Sequence, residues 1–132
     1  MGYVSEAYLQ IGRMQEAVQL AGRALDLARA HKERGHEAWA LRLLGEIAAH
    51  QDPPEIEPAE NHYQQALALA EELGMRPLVA HCHLGLGTLH SRIGRADQAR
   101  TDLAASIVLY CAMDMTFWLP QAETALAQVE GR

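Results

Sequence analysis

The chain has 132 residues, 49% of them hydrophobic and 21% charged, with a formal net charge of −6. That length fits one domain, and the balance excludes a disordered chain. One lysine and ten arginines are scattered among the acidic residues without forming a basic stripe, so nucleic acid is not an expected partner.

No apolar run approaches the roughly 20 residues of a membrane-spanning helix, so no membrane association is expected. The segment MGYVSE has no basic region leading into an apolar one, which argues against a signal peptide. Met1-Gly2 is followed by Glu6 where myristoylation needs Ser or Thr. Alanine dominates, β-branched residues are few, and there is a single Phe. This favours closely packed helices over a β-sandwich. Cys82 and Cys111 fall inside helical patterns. Two isolated thiols of this kind suggest a reducing, cytoplasmic setting and small buried residues.

Residues 1 to about 12 are expected to form a truncated first helix, with Gly12 as its left-handed cap. A second helix follows from about Met14 to Arg34. Its apolar face is Ala17, Val18, Ala21, Ala24, Leu25 and Ala28, at helical spacing. The next helix spans about 36–50, with Trp39, Leu43, Leu44, Ile47 and Ala48 pointing inward. Between Gln51 and Pro58, the prolines Pro53, Pro54 and Pro58 forbid a continuous helix and predict a rigid exposed loop. Pro58 falls near the first turn of the following helix, where proline is tolerated. That helix carries Tyr63, Ala66, Leu67 and Ala70 on one face and ends at Gly74. Pro77 opens a fifth helix to about Arg92, and after Gly94 a sixth runs to about Met113. A seventh spans 115–130 with Pro120 in its first turn. Its polar residues Gln121, Glu123, Thr124 and Gln128 suit an outer capping face.

These helices repeat. Ala17, Ala59 and Ala99 occupy equivalent places, followed four residues on by Ala21, Tyr63 and Leu103, and then by Ala24-Leu25, Ala66-Leu67 and Ser106-Ile107. In the preceding helices the matching pairs are Val4-Ser5, Leu44-Gly45 and Leu86-Gly87, with Leu126-Ala127 as a fourth, and Tyr8, Ala48 and His90 follow one turn after the first three. The small residue in each pair is expected to let helix backbones approach closely. The copies fall at about 1–34, 36–73 and 76–113, and 115–130 adds a first helix without a second. An amphipathic hairpin of this type cannot bury its apolar face alone and stacks on copies of itself.

The pattern resembles the tetratricopeptide repeat (TPR) family, in a variant with a period near 40. The runs ALALAEELGMRPLVAHCHLGLGTLHSRIGRADQAR and LYCAMDMTFWLPQAETALAQVEG look similar to the C-terminal repeats of bacterial regulators carrying a nucleotide cyclase or transcription-factor module and a nucleoside-triphosphatase domain. None of those catalytic modules is present in this sequence. The resemblance implies an all-α, right-handed α-α superhelix of stacked hairpins, with about seven helices in a single domain over 1–132. It also implies a non-catalytic protein–protein interaction or scaffold role, as the sensor arm of a bacterial signalling protein. The incomplete first repeat adds a second expectation, self-association as a homodimer. The large residue common early in the first helix is absent, its places holding Met1, Leu41 and His83.

Catalytic and cofactor chemistry is not expected. His81-Cys82-His83 is the only ligand-type cluster, but helical residues two apart diverge too far to share one ion. His83 and His90 are two turns apart, too far for a tetrahedral site without help. Gly85-Leu86-Gly87 lacks the pattern of a phosphate loop and reads as helix packing. A third reading, a small-molecule or metal-binding helical domain, carries little weight. The expected functional surface is the groove lined by the first helices. It should present Tyr3, Glu6 and Gln10, then Trp39, Arg42, Leu43, Glu46 and His50, then His81, Leu84, Thr88 and Arg92, and finally Thr124 and Gln128. A half-exposed Trp39 with Arg42 nearby has the composition of a binding hot spot. Arg42, Glu46, Thr88 and Arg92 stand where chaperone-tail binders carry a Lys and Asn clamp, so that specialised role is not expected.

Overall fold

The computed structural model is all-α and describes residues 2–51 and 55–131, with side chains from residue 15 onward. Its six helices are α1 (Gly2–Ala30), α2 (Arg34–Ala49), α3 (Ile56–Leu73), α4 (Arg76–Arg92), α5 (Ala96–Ala112) and α6 (Leu119–Glu130). Each helix packs on the next, and α2, α4 and α6 also touch in order. The result is a stack of two complete hairpins, α2–α3 and α4–α5, flanked by α1 on one side and α6 on the other.

Four of the five connections are the same turn. Glu33, Met75, Arg95 and Met115 each donate a backbone N–H to the carbonyl five residues back, on Ala28, Ala70, His90 and Tyr110, at 2.8–2.9 Å. This is the Schellman closure, which needs a left-handed residue just before the donor. Gly74 (φ 71°) and Gly94 (φ 81°) fill that place, as their sequence positions predict. Lys32 (φ 57°) and Asp114 (φ 56°) fill it in the other two. Pro58 sits in the first turn of α3, and α4 and α6 open on prolines. The rest of the proline loop, residues 52–54, lies outside the described residues.

The expected stop at Gly12 does not occur. α1 runs through it without a break, so Gly2–Ala30 is one helix rather than part of a hairpin, and the described residues form six helices rather than seven. Gly12 and Gly94 are both followed by arginine, so local sequence does not separate them. Packing does. After Gly94 the chain reverses so that α5 can seat Leu103 on α4, whereas the equivalent residue on α1 is Ala21. With so little to bury, the glycine stays helical at about 1 kcal/mol relative to alanine.

The small residues of the repeat serve a purpose the sequence only half discloses. A Cβ on Gly45 would lie 3.0 Å from the Tyr63 ring, and one on Gly85 would lie 2.5 Å from the same ring. A Cβ on Gly87 would lie 2.6 Å from Leu103. These glycines make room for a large side chain from the second helix, and at Gly87 also for its backbone, since a Cβ there would lie 3.2 Å from the Leu103 nitrogen. Tyr63 on α3 thus wedges between α2 and α4, joining Ala48, Ala59, Leu86 and Leu89 in one core cluster. Leu103 does the same between α4 and α6, with Ala99 and Val129.

Candidate binding groove

The first helices α2, α4 and α6 stand side by side, so residues in one register form rows across them. The rows are Trp39, His81 and Gln121; Leu43, Gly85 and Ala125; and Glu46, Thr88 and Gln128. The middle row falls from leucine to glycine to alanine. That loss of side-chain volume opens a cleft of about 550 Å3 against α4, within the size range of ligand sites.

Seven of the residues expected in the groove line this cleft: Glu46, His50, Leu84, Thr88, Arg92, Thr124 and Gln128. Tyr63, Gly85, Leu89 and Ala125 join Leu84 on the apolar part of its wall, and Gln121 adds a polar group. Several polar groups are already committed. Arg92 Nη1 donates to the Ala49 carbonyl at 2.9 Å, tying α4 to the end of α2. Thr88 Oγ1 donates to Leu84 within α4, and His50 Nδ1 donates to the Glu46 carbonyl. The amides of Gln121 and Gln128 add hydrogen-bonding capacity at the rim.

The other end of the same face is filled. His81 was expected to be open to the groove but is only 7% exposed, because aromatic rings close over it. Its Nδ1 and the Tyr110 hydroxyl are hydrogen-bonded at 2.7 Å. Trp118 meets it edge-on at 4.7 Å between centroids, and Trp39 lies at 6.2 Å. Burial first, and the Arg42 charge second, push the His81 pKa down to about 4, so the ring is neutral at pH 7. Arg42 lies over the Trp39 ring at 5.7 Å and reaches Glu46 at 3.5 Å, while its Nε is buried without a hydrogen-bond partner. Trp39 and Leu43 are 42% and 44% exposed, which agrees with a half-exposed Trp39 on the inner face and not with the inward packing that the helical spacing predicts. Neither lines the cleft. The side chains of Tyr3, Glu6 and Gln10 lie outside the described residues.

His83 and His90 do cooperate, though across a carboxylate. Asp102 on α5 accepts from both Nδ1 atoms at 3.1 Å, one on each oxygen. Glu60 lies 3.7 Å from His90 Nε2 and accepts from Arg95 at 2.6 Å. This chain knits α3, α4 and α5 together. Among the described residues, no group of three or more His, Cys, Asp or Glu side chains is placed to hold a metal ion. Cys82 is buried, its thiol pushed up to about 12 by that burial. Cys111 is exposed, contrary to the expectation of a buried residue, because it faces away from the α4 side of α5.

No family model matches this chain, and no curated protein matches it. No helix among the described residues is long and apolar enough to cross a membrane.

Proposed function

We propose that the chain is a non-catalytic protein-interaction module that holds a peptide segment of a partner in the cleft across α2, α4 and α6. The observation that carries this reading is the cleft itself. Its apolar strip, Leu84, Gly85 and Ala125, is flanked by polar groups from three different helices. A short extended or helical segment laid along it would bury apolar side chains on the strip and present backbone groups to Gln121, Thr124 and Gln128. The resemblance to tetratricopeptide repeats supports the same use. It further suggests an interaction arm of a larger cytoplasmic bacterial signalling protein, in which occupancy of the cleft biases an attached domain.

Selection of a displayed random-peptide library on the full chain tests the reading. Binders should lose at least tenfold in affinity against Thr88→Arg and Gln128→Arg, and be unaffected by Phe117→Ser outside the cleft. Binders indifferent to both cleft variants, or no binders at all, would exclude it.

A further inference from the structure

The apolar part of the cleft wall holds one polar atom that the fold leaves unused. Tyr63 is wedged between α2 and α4, is 3% exposed, and lines the cleft. Its hydroxyl oxygen sits where Gly85 has no side chain: a Cβ on Gly85 would lie 2.7 Å from it. Among the described residues that hydroxyl has no hydrogen-bond partner. Nor is it sealed in. The unpartnered side-chain atoms that are fully enclosed are Arg42 Nε and His62 Nδ1. The small exposed part of Tyr63 therefore includes the hydroxyl, and the surface it reaches is the cleft. Tyrosine hydroxyls this deep ordinarily find a partner, because a buried polar group without one costs free energy.

The surroundings narrow what that partner is. Burial first, and the Glu46 carboxylate second, hold the Tyr63 pKa above its ordinary value, so at neutral pH the oxygen keeps its proton and can donate. The Arg42 guanidinium acts in the opposite sense but less strongly, so the local field disfavours an anionic acceptor. The matching group is an uncharged oxygen, such as a peptide carbonyl. Helical carbonyls are bonded internally except over the last turn, and side chains hold the helix axis about 5 Å or more from a surface. An extended segment keeps its carbonyls free between alternating side chains. Gly85 and Ala125, with nothing beyond Cβ, let such a backbone come close.

We propose that the Tyr63 hydroxyl donates to a backbone carbonyl of an extended segment laid over Gly85 and Ala125, and so selects the conformation and register of what the cleft accepts. This rests on the cleft being a peptide site, and it chooses the extended form over the helical one. The carbonyl held at Tyr63 fixes the segment along the cleft, so that its neighbouring side chains meet Glu46 on the α2 wall and Gln121 and Thr124 on the α6 wall.

The probe is the tightest peptide that the full wild-type chain selects from the displayed random library, resynthesised with each backbone carbonyl in turn replaced by a thiocarbonyl, a weaker acceptor. Titration calorimetry compares wild type, Tyr63→Phe and Thr88→Arg. Tyr63→Phe keeps the wedged ring, and its urea midpoint should match wild type because the hydroxyl bonds nothing in the fold. It should weaken binding about threefold to tenfold, the worth of one neutral hydrogen bond. One thiocarbonyl position should weaken binding to wild type by a similar factor and leave binding to Tyr63→Phe unchanged, the signature of a direct pair. Circular dichroism of the complex should show no added helix. Tyr63→Phe binding like wild type, a scan in which no position couples to Tyr63, a gain of helix on binding, or a Tyr63→Phe variant that unfolds at lower urea would overturn the inference. If Thr88→Arg still blocks the peptide in those cases, the cleft reading stands without it. Selected peptides indifferent to Thr88→Arg would exclude the cleft reading, and this inference with it.

Discussion

The two ends of the inner face are built from the same helices in the same register, yet one is packed shut and the other is open. At the closed end, His81 is held by Tyr110 and covered by Trp39 and Trp118. At the open end, the middle row narrows to Gly85 and Ala125, and the space remains empty of side chains. Side-chain volume at a few equivalent positions decides which part of a repeat surface is core and which part is a site. The glycine that opens the cleft also seats Tyr63 from behind, so the site and the core share one constraint.

The sharpest way to break that arrangement is Gly85→Ala. The added Cβ would lie 2.5 Å from the Tyr63 ring, which is 3% exposed and has little room to retreat. We expect a loss of about 1–3 kcal/mol, larger than the helix propensity gained from alanine, read from the urea midpoint. Gly22→Ala is the control, since nothing lies within 4 Å of its Cβ, and it should gain up to about 1 kcal/mol. Tyr63→Leu in the Gly85→Ala background should recover part of the loss. Equal effects at Gly85 and Gly22 would mean that the ring is not wedged.

The closed end is tested next by Tyr110→Phe. This leaves His81 Nδ1 buried without its 2.7 Å partner while preserving the ring packing. The expected loss is about 1–2 kcal/mol. A neutral result would show that the aromatic contacts alone hold the histidine.

Much of this was legible in the sequence, for reasons tied to particular residues. Gly74, Gly94 and Pro77 are local signals whose effect does not depend on distant packing, and they mark helix ends as read. Lys32 and Asp114 were not legible as left-handed residues, because only the repeat of the Schellman turn, not their side chains, places them there. Gly12 misled for the opposite reason: its surroundings match Gly94, but the residue on which a hairpin would close is alanine. Seven cleft residues followed from register alone. The burial of His81 did not, because Tyr110 approaches from α5 and Trp118 from the connection before α6. The helical spacing of Tyr63 puts it in the core, but its place on the cleft wall depends on the absence of a side chain at Gly85.

The closed end also has a pH signature. The His81 pKa in the fold is about 4, against 6.5 for an unperturbed histidine. Below pH 6.5 the unfolded chain takes up a proton that the folded chain refuses until about pH 4. This group therefore destabilises the fold progressively as pH falls from 6.5 to 4, and has no effect above that window. Thermal melts of wild type and His81→Leu should diverge in slope only within it. Parallel curves would place the acid sensitivity elsewhere.

The smallest effect on stability, and the clearest contrast between the two ends, is expected from Thr88→Arg. Its hydroxyl bonds only the Leu84 carbonyl of its own helix, and the residue is exposed at the cleft wall. Stability should move by no more than about 0.5 kcal/mol. An arginine there projects into the open end, where any segment laid on Leu84, Gly85 and Ala125 would meet it. A variant that melts like wild type yet no longer holds cleft-binding peptides would separate site from scaffold. The same substitution strategy cannot work at His81, where the side chain is part of both packing and hydrogen bonding. A Thr88→Arg variant that unfolds would show that the open end is as tightly coupled to the core as the closed one.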